Sequence, residues 1–138
     1  MVSKLALAWI LMAVCVTVHV VGVSAAVRWL ARSPRNTGQF WPGVWLFVSL
    51  AGWMIVLHLI EIVAWGLVYW WSGALVDMTS AVYFSAVTYT TTGYGDLVLP
   101  QEWRLVGAIE ALTGILMCGL STGLFFAVVS RMFRIERP

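Results

Sequence analysis

Thr88-Tyr89-Thr90-Thr91-Thr92-Gly93-Tyr94-Gly95-Asp96 carries no charge before its last residue and stands between two long apolar runs. Those runs cover roughly 44–71 and 103–133, and a third precedes them at roughly 5–30. Each is long enough to cross a hydrocarbon core of about 30 Å as a helix with some tilt. Composition agrees: 62% of the 138 residues are hydrophobic and 10% charged, against roughly 45–50% and about 25% in soluble domains. The chain therefore reads as a membrane protein. The segment 77–100 between the second and third runs is Ser/Thr-rich and too short to cross as a helix and return.

Within that segment, Asp77-Met78-Thr79-Ser80 holds helix-capping residue types, which predicts a short helix from there to about Tyr89. An extended, glycine-containing strand should follow. Non-helical backbone at membrane depth survives only where protein buries it or where it lines a watery path. Cation coordination supplies a reason for such a strand, because rings of backbone carbonyls replace an ion's hydration shell. To aim successive carbonyls at one axis, the backbone must alternate its handedness, and glycine tolerates positive φ. Gly93 and Gly95 provide this at alternate positions. Carbonyls of Thr91, Thr92, Gly93 and Tyr94, with the Thr91 hydroxyl, would then stack as oxygen rings. The negative end of the short helix's dipole would point toward the cation. One chain supplies one strand and a ring needs about four, so a closed homotetramer is expected.

Charge placement predicts orientation. Arg28, Arg32 and Arg35 sit between the first two runs, and Arg131, Arg134 and Arg137 in the tail. The positive-inside rule puts both groups in the cytoplasm. Lys4, Asp77, Asp96 and Glu102 then fall outside, with the N-terminus. Trp29, Trp41 and Trp45 fall at the expected inner interface and Trp70, Trp71 and Trp103 at the outer one, where indoles concentrate. Trp53 and Trp65 fall deeper, as packing residues. Reading the first run as a signal peptide cleaved near Val23-Ser24-Ala25 would translocate three arginines and turn 77–100 toward the cytoplasm, so an uncleaved span is preferred.

The quoted stretch resembles the T-x-T-T-x-G-Y-G-D signature of potassium channels. Ala81-Val82-Tyr83-Phe84-Ser85 resembles the aromatic pore helix of the bacterial two-helix ion-channel family. Arg104-Leu105-Val106-Gly107 with Gly114-Ile115, and Leu120 through Ala127, resemble the inner helices of simple bacterial channels and inward rectifiers. The resemblance covers roughly 44–133; the first span lies outside the two-helix pattern. It implies a passive potassium channel, not an enzyme. The filter would be Thr91, Thr92, Gly93, Tyr94 and Gly95, holding K+ ions with no organic cofactor. It also implies that Tyr83 braces the filter by hydrogen bonding toward Asp96. Gly114 would be a flexible point in the pore-lining helix, although a small residue there equally permits close helix packing. Ile115, Cys118 and Thr122 would face the cavity, and Phe126 would stand at the cytoplasmic mouth. The expected fold is all-α and membrane-integral: three transmembrane helices, a re-entrant pore helix and a filter strand, four copies around a central pore. Residues 1–43 would form the N-terminal helix and cytoplasmic loop, and 44–138 the pore domain.

Departures and polar residues leave alternatives open. Thr92 stands where this family usually has Val, Ile or Leu, which bears on filter stability and inactivation more than on selectivity; together with the acidic Glu110 it motivates a weakly selective cation channel as the second reading. A non-conducting, channel-like subunit is the third, motivated by the extra span. Glu61, with His58 three residues earlier on one helical face, reads either as a pH-responsive pair or as a structural one, since intramembrane carboxylates seek partners. Glu110 reads as pore-helix support or as a tuner of the local cation potential. His19 reads as a packing histidine. Arg131, Arg134 and Arg137 either bind anionic lipid or only set topology. Cys15 and Cys118 lie in apolar runs without metal-ligand spacing, and no nucleotide-binding, catalytic or nucleic-acid motif occurs.

Overall fold

The computed structural model describes residues 2–32 and 40–132. Arg35, Arg134 and Arg137 lie outside the described residues, as does the side chain of Arg131. Four α-helices are present among the described residues: α1 (Val2–Arg32), α2 (Phe40–Trp71), α3 (Met78–Tyr89) and α4 (Arg104–Met132), with a 3-10 turn at Gln101–Trp103 leading into α4. Three helices are long and apolar enough to span a bilayer: α1, α2 and α4. At 1.5 Å per residue, the 12 residues of α3 reach only about 18 Å.

Local chemistry explains the ends. Pro42 lies in the first turn of α2, where its missing N–H costs no helical bond. The α2 end is a Schellman motif. Gly73 takes φ 69°, its N–H donates to the Trp70 carbonyl, and the Ala74 N–H donates to the Tyr69 carbonyl. Asp77 caps α3 in extended conformation, accepting from the Ser80 N–H at 2.8 Å. These bonds hold the exposed Asp77 carboxyl below its usual pKa, led by the one from the Ser80 backbone.

Packing in lipid cannot rely on a hydrophobic driving force, so close approach through small residues matters. The buried positions of α1 are Ala8, Cys15, His19, Gly22 and Ala26, a stripe at three-, four- and seven-residue intervals of mostly small side chains. This stripe faces α4 and α2. At Gly22 the Trp53 indole donates to the backbone carbonyl at 3.0 Å. On the other side of α2, a Cβ at Gly66 would stand 2.9 Å from the Val82 Cα, so α3 sits directly against the α2 backbone. Two apolar clusters result. One runs from Ala8 and Trp65 to Val106 and Met117, the other from Ala26 and Leu50 to Leu124 and Val128. A polar layer containing His19, Glu61 and Ser121 lies between them in all three long helices.

α1 and α4 begin at the same end, where the Lys4 Nζ lies 3.7 Å from a Glu102 carboxylate oxygen and 4.5 Å above the Trp103 ring. Trp103 is 6% exposed, packing edge-on against Tyr69 with the Lys4 ammonium over its face.

Candidate functional site

The stretch that opened the sequence reading hangs from the C-terminus of α3. Its first turn is a second Schellman motif: the Thr91 N–H donates to the Thr88 carbonyl at 2.9 Å, and the Thr92 N–H to the Val87 carbonyl at 2.9 Å. The left-handed residue that closes this motif is Thr91, at φ 59°. Gly93 and Gly95 follow at φ 57° and 76°. Positive φ therefore recurs at 91, 93 and 95, alternating with ordinary backbone. This is the alternation that turns successive carbonyls to one side of a strand. The glycines announced two of the three positions; a threonine gives no such sign, since left-handed backbone costs a β-branched residue about 1–2 kcal/mol. The residues form no hydrogen-bonded β-strand, and no partner strand lies beside them among the described residues.

Side chains tie this segment down. The Thr90 hydroxyl donates to the Ala86 carbonyl at 2.7 Å, and the Thr92 Oγ1 lies 2.9 Å from the Thr90 Oγ1. Beyond the glycines, the Tyr83 hydroxyl donates to Asp96 Oδ2 at 2.7 Å while Asp96 Oδ1 accepts from the Leu97 N–H at 3.1 Å. The Tyr83 hydrogen bond holds the Asp96 carboxyl below the usual carboxylate range. Tyr94 is 72% exposed, so the segment occupies the surface of the single chain.

Behind the segment, α3 is held by two buried carboxylates through Ser85 and Tyr89, four residues apart on one helical face. Glu110 of α4 accepts from the Tyr69 hydroxyl at 2.7 Å and from Ser85 Oγ at 2.5 Å, linking α2, α3 and α4. Glu61 of α2 accepts from the Tyr89 hydroxyl and pairs with His19 Nδ1 of α1 at 2.9 Å. His58, expected as the partner of Glu61, stands at 4.0 Å from it and bonds Tyr89 and Ser121, each at 3.1 Å. The nearer partner, His19, lies 42 residues away in the chain, and only the packing of α1 brings it in.

Gly114 permits close packing: a Cβ would overlap the Tyr89 carbonyl oxygen, so α4 presses its bare backbone against the end of α3. Ile115, Cys118, Thr122 and Phe126 recur at helical spacing and are all exposed, so they share one open face of α4. The Thr122 hydroxyl is satisfied by the Cys118 carbonyl at 2.9 Å.

Residues 57–131, the end of α2 through α4, match the ion-channel family. The chain belongs to that family. The match takes in α3, the segment 90–100 and α4, and leaves α1 outside. No curated protein and no solved structure gives a match. An ion-channel domain together with three membrane-length apolar helices makes this a membrane protein.

Proposed function

We propose that the chain is one subunit of a homotetrameric potassium channel, a passive conductor rather than an enzyme, whose filter is Thr91, Thr92, Gly93, Tyr94 and Gly95. The observation that carries this is positive φ at 91, 93 and 95 in a T-x-G-Y-G-D sequence, in a chain of the ion-channel family. Four such segments around an axis would offer stacked carbonyl rings to dehydrated K+ ions. The Tyr83–Asp96 bond would brace their outer end. The open face of α4 with Ile115, Cys118 and Thr122 would line the cavity, with Phe126 at its mouth. The filter would lie toward the outside, with the N-terminus, and the arginine-bearing ends of α1 and α4 in the cytoplasm. Arg131, Arg134 and Arg137 would meet anionic lipid there.

Purified protein in liposomes should form cross-linked tetramers and take up rubidium down a potassium gradient. A tetramer that passes no rubidium would overturn the reading. Thr92 keeps a second reading in play, a weakly selective cation channel, because its hydroxyl pairs with Thr90 where an apolar side chain would pack. Equal sodium and potassium flux would favour it.

A further inference from the structure

His19, His58 and Glu61 each offer a ligand atom, and all three atoms lie within 4.8 Å of one another. They come from two spanning helices, α1 and α2. His19 and Glu61 are fully buried, while His58 is 19% exposed and gives an approach. The two imidazoles lie side by side, ring centroids 5.0 Å apart. Both turn Nε2 to the same atom, Ser121 Oγ, at 3.1 Å. Both turn Nδ1 toward Glu61, at 2.9 and 4.0 Å.

Without a metal these contacts form a connected chain from His19 through Ser121, His58 and Tyr89 to Glu61. One assignment of the imidazole protons closes it into a ring: His19 Nε2–H to Ser121 Oγ, Ser121 to His58 Nε2, His58 Nδ1–H to the Tyr89 hydroxyl, and Tyr89 to Glu61. One proton shared by Glu61 and His19 completes it. The same atoms suit a divalent ion. If that shared proton leaves and the His58 proton moves to Nε2, both Nδ1 lone pairs and the Glu61 carboxylate become free to bind an ion. Both Nε2–H groups then donate to Ser121 Oγ, which has two lone pairs to receive them. A histidine ligand whose other N–H is held by an oxygen is the usual arrangement around protein metals. Ligands at about 2.0–2.2 Å from a tetrahedral ion stand roughly 3.3 Å apart, so the set needs contraction, mostly by His58.

We propose that His19, His58 and Glu61 form a binding site for a first-row divalent transition ion of the zinc class inside the membrane, with Ser121 orienting both imidazoles. Two imidazoles and one carboxylate suit Zn2+, Co2+ or Ni2+ over Mg2+ or Ca2+. The site joins α1 to the end of α3 through Tyr89, next to the proposed filter. Its detection does not depend on conduction, so it stands or falls apart from the potassium reading.

The probe is Co2+, titrated into tag-free full-length protein in nanodiscs and followed by its visible d–d bands. The chain contains two histidines, both in this cluster, so any imidazole-bound cobalt reports this site. One Co2+ per chain, displaced by Zn2+, is expected. His19→Gln and His58→Gln should abolish the bands, and Ser121→Ala should weaken affinity 10- to 100-fold, with helicity and oligomeric state checked for each variant. Folded wild-type protein that binds no stoichiometric cobalt would overturn the proposal. So would bands that persist in folded His19→Gln and His58→Gln variants, or that vanish in Cys15→Ser and thereby report a thiolate ligand.

Discussion

Two helices end in the same hydrogen-bonded motif, and they differ at one residue. At the end of α2 the left-handed position is Gly73, with Gly73 and Ala74 donating back to Trp70 and Tyr69. At the end of α3 it is Thr91, with Thr91 and Thr92 donating back to Thr88 and Val87. Glycine is the residue this position favours. Threonine there holds about 1–2 kcal/mol of strain per chain. Backbone strain of this kind persists where the surroundings over-determine it, and it collects at functional sites. α2 only turns a corner; α3 turns a corner and leads straight into two further positive-φ positions, Gly93 and Gly95, where the proposed filter would also use the Thr91 hydroxyl. The strained end is the one clamped from every side: by Gly114 against the Tyr89 carbonyl, by Ser85 on Glu110, and by Tyr89 on Glu61.

The clamp can be broken first. Gly114→Ala places a methyl group on the Tyr89 carbonyl, and over-packing of this kind costs about 1–3 kcal/mol. We expect a large fall in the protein's thermal unfolding temperature. An unchanged temperature would mean that α4 is free to move away from α3 and that Gly114 is a hinge after all.

Exchanging the two end residues sharpens the contrast. Gly73→Ala should cost about 1 kcal/mol of stability and leave the potassium-to-sodium flux ratio unchanged. Thr91→Gly should gain at most about 1 kcal/mol, strain relief being partly offset by unfolded-state freedom, while lowering that ratio. If both substitutions altered selectivity alike, the difference between the ends would be accidental.

The smallest effect concerns the far end of the segment. Tyr83 lowers the Asp96 pKa, so their bond contributes stability above the ordinary carboxylate value and loses it as pH falls through the lowered one. Tyr83→Phe should therefore lose conduction faster than wild type at pH 7, and the gap should shrink below about pH 4. A gap constant with pH would assign the tyrosine's effect to packing.

Much of this was legible in the sequence. Runs of apolar residues mark α1, α2 and α4 because a bilayer span needs length and apolarity and little else. Asp77 marks the start of α3 because a carboxylate cap is local chemistry, and Gly93 and Gly95 mark left-handed backbone because glycine adopts it freely. What escaped depends on packing between distant segments. Thr91 takes positive φ as the closing residue of the helix-end motif, against its own preference. His19 meets Glu61, and Tyr69 meets Glu110, only once the helices dock; the bond from Ser85 of α3 to Glu110 is the pore-helix support that the sequence suggests for Glu110. The cover that Lys4 and Tyr69 give Trp103 likewise joins residues far apart in the chain.

The central claim is that the segment from Thr91 to Gly95 selects potassium. The most direct measurement is the reversal potential of the reconstituted tetramer with potassium on one side and sodium on the other, where each tenfold preference for a monovalent ion shifts the potential by roughly 59 mV. A shift of more than twice that toward the potassium equilibrium is predicted for the wild type, with no selective current from Gly93→Ala. A wild-type reversal potential near zero, or a Gly93→Ala variant that conducts just as selectively, would contradict it.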